Sequence, residues 1–121
     1  MLTALFDTSV VLDYFMGIEG ARKAMSKYSH RAISVFTWVE VLSIAPPAHA
    51  ETTRLFLRGF ERLSINEAIA DRALVLIEGN KNLSMRCALA WAVAQVNGLM
   101  FVTVNAKGID RSDAAVWIPY T

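Results

Sequence analysis

The sequence is poor in the residues that mark several specialised classes of protein. Its one cysteine, Cys87, excludes an intrachain disulfide framework and a zinc site built from cysteines, and indicates a reducing compartment. Neither histidine, His30 or His49, has a second histidine at ligand spacing. The net charge of +1 gives no strongly basic face that would announce a nucleic-acid partner. We therefore expect a cytoplasmic protein whose function must be sought in particular residues.

Long apolar runs are also missing. No run approaches the roughly 20 residues that span a bilayer, and the first residues lack the basic start and cleavage site of a secretory signal. We expect a soluble, non-exported protein with no membrane partner. Hydrophobic residues are nevertheless abundant, at 55% against 19% charged. A chain of 121 residues with this composition and no internal repeat predicts a single domain over residues 1–121.

Short apolar runs alternate with longer helix-like segments along the whole chain. The predicted strands are 2–6, 32–36, 63–65, 99–103 and 116–118, and the predicted helices are 9–16, 19–28, 37–44, 48–60, 67–79 and 85–96. Asn66 and Ser84 are predicted N-caps, and Asn97-Gly98 a helix end. The run GLMFVTV is apolar almost throughout, which is typical of a strand covered on both faces. We predict an α/β fold, a three-layer α/β/α sandwich around a mainly parallel five-stranded sheet.

Polar residues follow several of the predicted strands. Asp7 follows the first strand, and Glu40 lies on the first turn of the helix after the second. The fourth strand ends at Thr103-Val104-Asn105. Asp7 alone could be a helix N-cap, and Glu40 alone could favour the positive end of its helix. Ligands of parallel sheets collect at the carboxyl ends of the strands. Two carboxylates at that edge suit a magnesium ion that keeps several waters, so the pair predicts a metal site.

Four segments carry a resemblance to a known family: FDTSVVLDYF, AISVFTWVEVL, VNGLMFVTVNAKGID and VWIPY. In order and spacing they resemble the PIN domain, and specifically the short VapC-like toxins of prokaryotic toxin-antitoxin pairs. The resemblance covers nearly the whole chain. It implies a metal-dependent endoribonuclease that uses Mg²⁺ or Mn²⁺, an RNA substrate, a small antitoxin protein as partner, and a homodimer.

The resemblance also implies roles for individual residues. Asp7 and Glu40 match the first two acids of the family, which hold the metal and act in catalysis. Four polar residues match further motif positions: Thr8 and Ser9 as accessory residues after the first acid, and Thr103 and Asn105 as catalytic residues that orient water or metal. Two bases, Arg86 and Lys107, are expected at the substrate edge, although a solvated polar face is an equally good interpretation of them.

The third acid of the family is missing. Its position falls in CALAWA and is occupied by Cys87. A thiol is softer than a carboxylate and is usually protonated near neutral pH, so it does not simply replace an acid at a magnesium site. Recruitment of a second metal would require Asp110 or Asp113 to move in from the loop after Asn105. Cys87 and Asp110 are therefore accessory candidates.

Three functions remain open on the sequence. The first is the toxin-type ribonuclease, whose activity the missing acid would weaken. The second is a degenerate PIN domain that binds RNA or protein, and the third a receiver-like signalling domain with a phosphorylatable Asp7. The third is disfavoured because the last strand, VWIPYT, has no lysine.

Two further interpretations concern surfaces. Trp38 is expected to pack in the core, or to stack a base if it is exposed beside Glu40. The helix ETTRLFLRGF is a candidate antitoxin or self-association surface, with core packing as the alternative for part of it.

Overall fold

A computed structural model describes residues 3–105 and 107–121 of the chain. Five strands alternate with six helices and one 3-10 turn. The elements are β1 (Thr3–Phe6), α1 (Thr8–Phe15), α2 (Glu19–Ser26), β2 (His30–Ser34), α3 (Val35–Ile44), the 3-10 turn (Pro47–His49), α4 (Ala50–Leu57), β3 (Glu61–Leu63), α5 (Glu67–Gly79), α6 (Met85–Val96), β4 (Met100–Val102) and β5 (Val116–Trp117). No helix in these residues is long and apolar enough to cross a membrane.

The five strands form one sheet in the order β3-β2-β1-β4-β5, and every neighbouring pair is parallel. β1 lies at the centre, with Leu5 opposite Ala32 of β2 and Phe101 of β4. Because all strands run the same way, their carboxyl ends lie at one edge. The sequence-based prediction of a parallel five-stranded α/β sandwich is confirmed.

Both faces of the sheet are covered by helices. Successive side chains of a strand point to opposite faces, and β1 shows this directly. Leu5 packs with the residues of α5 and α6, whereas Ala4 and Phe6 pack with those of α1, α2 and α3. All three side chains are fully buried. This two-sided burial explains why β1 and β4 are apolar almost throughout.

Several predicted boundaries were wrong. The strand predicted at 32–36 is β2, which ends at Ser34, because the Ser34 Oγ accepts a hydrogen bond from Thr37 N at 3.1 Å and so starts α3 at Val35. Hydrophobicity alone did not mark this change because the apolar run continues into the first turn of α3. The strand predicted at 63–65 is β3 at Glu61–Leu63, an edge strand with two exposed charged residues. Residue 2, predicted as strand, lies outside the described residues.

The helix predicted at 48–60 is a 3-10 turn followed by the shorter helix α4. α4 ends at Leu57, after which Gly59 and Phe60 form a turn into β3. The predicted helix caps are confirmed: Asn66 accepts from Ile69 N at 3.0 Å and Ser84 from Cys87 N at 3.1 Å. Gly98, with φ +67°, ends α6 as predicted.

Candidate active site

A cleft of about 380 Å³ opens beside the carboxyl ends of β1 and β4. Its walls come from the starts of α1 and α6, from α3 and from the segment after β4. The lining residues are Asp7, Thr8, Ser9, Leu12, Glu40, Ser84, Arg86, Cys87 and Asn105. Seven of these were named as site candidates from the sequence, so the fold brings most of the predicted site into one cleft.

Asp7 is the most constrained residue of the cleft. It is the N-cap of α1, and its carboxylate accepts hydrogen bonds from Thr8 N at 2.8 Å, Ser9 Oγ at 3.1 Å and Thr103 Oγ1 at 2.7 Å. Burial raises the pKa of this carboxyl, the three hydrogen bonds oppose the rise, and the charge of Glu40 adds to it. Asp7 is therefore both a helix cap and a cleft carboxylate, so the two interpretations of the sequence do not exclude one another.

Glu40 reaches the same cleft from α3, where it lies on the second turn of the helix. The sequence-based placement on the first turn was wrong because α3 begins two residues earlier than predicted. Thr8 Oγ1 donates to Glu40 Oε1 at 2.8 Å. Since Thr8 also donates its backbone N–H to Asp7, this one residue ties the two carboxylates together.

A buried row of hydroxyl groups supports this link. Ser34 Oγ donates to Thr37 Oγ1 at 3.4 Å, and Thr37 Oγ1 lies 2.8 Å from Thr8 Oγ1. With Thr8 donating onward to Glu40, every hydroxyl in the row is satisfied. The row fixes the start of α3 against the start of α1, and thereby fixes Glu40 relative to Asp7.

Arg86 enters the cleft from the first turn of α6 and forms an ion pair with Glu40 Oε2. Its side chain is 65% exposed, whereas that of Glu40 is 21% exposed. The residue predicted to contact substrate therefore faces the cleft but is paired with one of the two acids. A guanidinium at this position supplies some of the positive charge that a cation would otherwise bring.

Cys87 lies directly behind these groups and is almost fully buried, at 2% exposure. Burial, and then the charge of Asp7, raise the pKa of its thiol to about 12. Its Sγ lies 4.0 Å from the backbone oxygen of Asn105. At neutral pH Cys87 is therefore a protonated thiol and not a thiolate ligand.

The cleft offers hard oxygen atoms for a divalent cation, but few of them. Among residues 3–105 and 107–121, no cluster of three or more His, Cys, Asp or Glu side chains is placed to hold a metal. Asp7 and Glu40 keep free lone pairs beyond the hydrogen bonds described above. Their chemistry fits one magnesium or manganese ion that keeps several waters. It does not fit a two-metal site.

The remaining candidates occupy different positions. Asn105 lines the cleft, and Thr103 lies beneath it, fully buried, holding Asp7. Lys107 is exposed and is not among the cleft-lining residues. Asp110, also exposed, accepts from Ser112 N at 2.9 Å and Ser112 Oγ at 2.6 Å, which lowers its pKa. In this structure Asp110 therefore does not join Asp7 and Glu40 in the cleft.

Sequence reasoning missed three residues of the site. Thr37 lies under Thr8 in the hydroxyl row, and Ser84 and Leu12 line the cleft. Thr37 precedes Glu40 by three residues, which places both on one side of a helix. This spacing was the sequence signal that could have identified Thr37 as a residue of the site. Ser84 was recognised only as a helix cap, and Leu12 carries no chemical signal in the sequence.

Together, the parallel sheet and the acid-lined cleft define an α/β domain whose candidate site lies at the carboxyl ends of its strands. The chain matches the PIN domain family over residues 4–114. It therefore belongs to the PIN domain family. A comparison with curated proteins found no match.

Several solved structures are similar in fold to this chain. A toxin-antitoxin complex from Klebsiella pneumoniae has a chain 34% identical to this one, with a TM-score of 0.88, covering 97% of this chain and 98% of that chain. FitAcB from Neisseria gonorrhoeae is 16% identical to this chain, with a TM-score of 0.77, and the match covers 96% of this chain and 97% of that chain. VapBC2 from Rickettsia felis, bound to a promoter DNA fragment, is 16% identical to this chain with a TM-score of 0.73. The match covers 96% of this chain and 99% of that chain. The last two are similar in fold alone.

Proposed function

We propose that this chain is a toxin of the VapC-like type, a metal-dependent endoribonuclease that acts on cytoplasmic RNA. The observation that carries the proposal is the link through Thr8, which holds the carboxylates of Asp7 and Glu40 in one cleft. Membership of the PIN family supports it, as does the similarity to a chain of the Klebsiella toxin-antitoxin complex.

Asp7 and Glu40 are the residues that would hold a Mg²⁺ or Mn²⁺ ion. Such an ion, when bound, supplies Lewis acidity toward a phosphodiester and lowers the pKa of water. The chain itself supplies orientation. Thr103 and Ser9 fix Asp7, and Thr8 fixes Glu40, so neither carboxylate has to be ordered when substrate arrives. Asn105 offers a side-chain amide at the rim of the cleft.

Arg86 is the group of the cleft suited to bind the RNA backbone. A guanidinium forms strong, paired hydrogen bonds with phosphate oxygens. Because the Arg86 side of its ion pair with Glu40 is exposed to solvent, a phosphate can reach the guanidinium and exchange with the carboxylate. Such an exchange would release Glu40 Oε2 at the moment that substrate enters. Lys107, which is exposed, would add positive charge outside the cleft.

An antitoxin has a suitable docking surface next to the cleft. An apolar groove of about 530 Å³ is lined by residues of α1, α3 and α4 and the turn between the last two: Leu12, Phe15, Met16, Val41, Ile44, Ala45, Pro46, His49, Thr52 and Thr53. Leu12 lines both the groove and the cleft, so a segment seated in the groove would reach the acids. In the segment ETTRLFLRGF, Leu57 and Phe60 are buried in the core, whereas Leu55 is 56% exposed and available to a partner.

Cleavage of a labelled RNA pool, first with Mg²⁺ and then with Mn²⁺, tests the proposal. We expect the wild type to cut RNA and Asp7→Asn to be inactive, since the amide removes the charge that attracts the cation. Asp71→Asn removes a carboxylate from an exposed position of α5 and is the matched control, with activity unchanged. Equal cleavage by the wild type and Asp7→Asn would show that the activity comes from elsewhere.

A second function, a catalytically degenerate PIN domain that binds RNA or protein, is favoured by two observations. The resemblance to the family implies an acid where Cys87 stands, and Arg86 already forms an ion pair with Glu40. Under this alternative the wild type binds RNA but does not cut it with either metal. The same cleavage assay therefore separates the two functions.

A further inference from the structure

A second pocket lies on the other side of α3 from the acid cleft. It has a volume of about 430 Å³ and is lined by Trp38, Arg54, Leu57, Arg58, Phe60 and Arg62. Leu57 and Phe60 are buried and belong to the core, so they form its apolar floor. We call this the basic pocket. Its volume lies in the range of about 300–1,000 Å³ that is typical of ligand sites.

Two elements, α4 and β3, bring the arginines of the basic pocket together. Arg54 lies in the last turn of α4, Arg58 is the C-cap one turn later, and Arg62 belongs to the edge strand β3. The C-terminal dipole of α4 favours the first two positions for cations. The helix dipole does not account for Arg62, which reaches the same pocket from strand β3.

In the part of the chain that the structure describes, no carboxylate forms an ion pair with these arginines. Among the described residues the ion pairs are Arg22 with Glu19 and Arg86 with Glu40, both outside the basic pocket. Three uncompensated guanidinium groups around one small volume repel each other, and an anion relieves that repulsion. The planar fork of arginine matches phosphate oxygens in particular.

Trp38 gives the basic pocket its second chemical feature. The guanidinium carbon of Arg62 lies 4.3 Å from the Trp38 ring centroid, and that of Arg54 lies 5.9 Å from it. The ring is only partly buried. Stacking of bases on aromatic and guanidinium planes is the usual way in which proteins hold single-stranded nucleic acid.

We propose that the basic pocket is a binding site for single-stranded RNA outside the acid cleft, with Arg54, Arg58 and Arg62 on phosphates and Trp38 stacked on a base. Trp38 and Glu40 are two residues apart on α3, roughly 200° around the helix axis. The two sites face opposite sides of α3, so an RNA strand that contacts both has to pass around that helix. This inference takes its ligand from the proposed function but does not need cleavage to occur.

The test measures the affinity of the chain for a fluorescein-labelled 12-nucleotide single-stranded RNA. Fluorescence anisotropy reports binding, in EDTA and at several salt concentrations. Each phosphate contact on a single strand contributes about 0.7 to the slope of log affinity against log salt. Arg54→Gln/Arg62→Gln should therefore lower the slope by roughly 1.4. The matched control, Lys23→Gln/Arg72→Gln, removes the same charge from exposed positions on α2 and α5 and should leave the slope unchanged.

Trp38→Leu should weaken binding by roughly 5-fold or more, the effect of losing one stacked base, without changing the salt slope. Trp38→Phe keeps a ring and should lose less. Equal slopes for the two double variants would overturn the proposal, because binding would then follow overall charge. Competition by an oligoglutamate as strong as that by unlabelled RNA would also overturn it, in favour of an acidic peptide. Failure of cleavage with RNA binding intact would contradict the proposed function alone.

Discussion

Asp7 combines burial with charge, and this combination has a consequence for stability. Its folded-state pKa is raised, chiefly by burial, above the ordinary carboxyl value of 3.8. A raised pKa means that the contribution of Asp7 to stability is fully present below the unfolded pKa and is lost as pH rises through the folded pKa. In the absence of metal, the ionised carboxylate therefore destabilises the folded chain at neutral pH.

We accordingly expect Asp7→Asn to have a larger free energy of unfolding than the wild type at pH 7 in EDTA. The difference should shrink as the pH falls through the raised folded-state pKa of Asp7, because the carboxyl is then protonated in the folded state before it is in the unfolded chain. Urea unfolding of both proteins at a series of pH values measures this. An Asp7→Asn variant that is less stable than the wild type at pH 7 would mean that the hydrogen bonds from Thr8, Ser9 and Thr103 outweigh burial.

The resemblance to the PIN family implies an acid at the position of Cys87, and Cys87→Asp places one beside Asp7. We expect apparent Mn²⁺ affinity and cleavage to rise, with affinity at least about tenfold higher. The same change should cost about 3 kcal/mol of stability in EDTA, because it adds an uncompensated buried charge. Cys87→Ser, which adds no charge, is the control for both readouts. Unchanged affinity in Cys87→Asp would show that position 87 does not face the metal.

At the scale of elements, the N-terminal caps of the helices position the residues of the site. Ser34 caps α3, and its hydroxyl begins the row that runs through Thr37 and Thr8 to Glu40. Ser34→Ala should lower the free energy of unfolding by about 1 kcal/mol, the typical loss for an N-cap. It should also lower RNA cleavage, because Glu40 is held less firmly. Ser43→Ala removes an exposed hydroxyl from the other end of α3 and should leave both quantities near the wild type.

The elements also show how far sequence reasoning reaches. The bounds of α5 and α6 were predicted correctly because Asn66 and Ser84 mark their starts with specific side-chain hydrogen bonds. β3 was misplaced because an exposed edge strand carries no hydrophobic signal, and only its pairing with β2 defines it. The positions of Asp7 and Glu40 at one edge followed from the parallel topology. The ion pair of Arg86 with Glu40 did not, because it depends on how α3 and α6 approach across the cleft.

At the scale of the whole molecule, we predict a homodimer. Large apolar side chains remain exposed on α5, where Leu74 is 56% and Val75 54% accessible. Burial of such residues stabilises association, and symmetric dimers are the commonest oligomers of soluble chains. Light scattering at high protein concentration should give twice the chain mass of 13.4 kDa. A monomeric mass under those conditions would rule out the dimer.

The central claim is that Asp7 and Glu40 together hold one divalent cation in the cleft, and direct titration with Mn²⁺ tests it most directly. We predict one ion per wild-type chain, binding at least about tenfold weaker in Asp7→Asn, and tighter binding in Arg86→Gln, because that variant frees Glu40 from its ion pair. Mn²⁺ affinity that is the same in the wild type and Asp7→Asn would contradict the account.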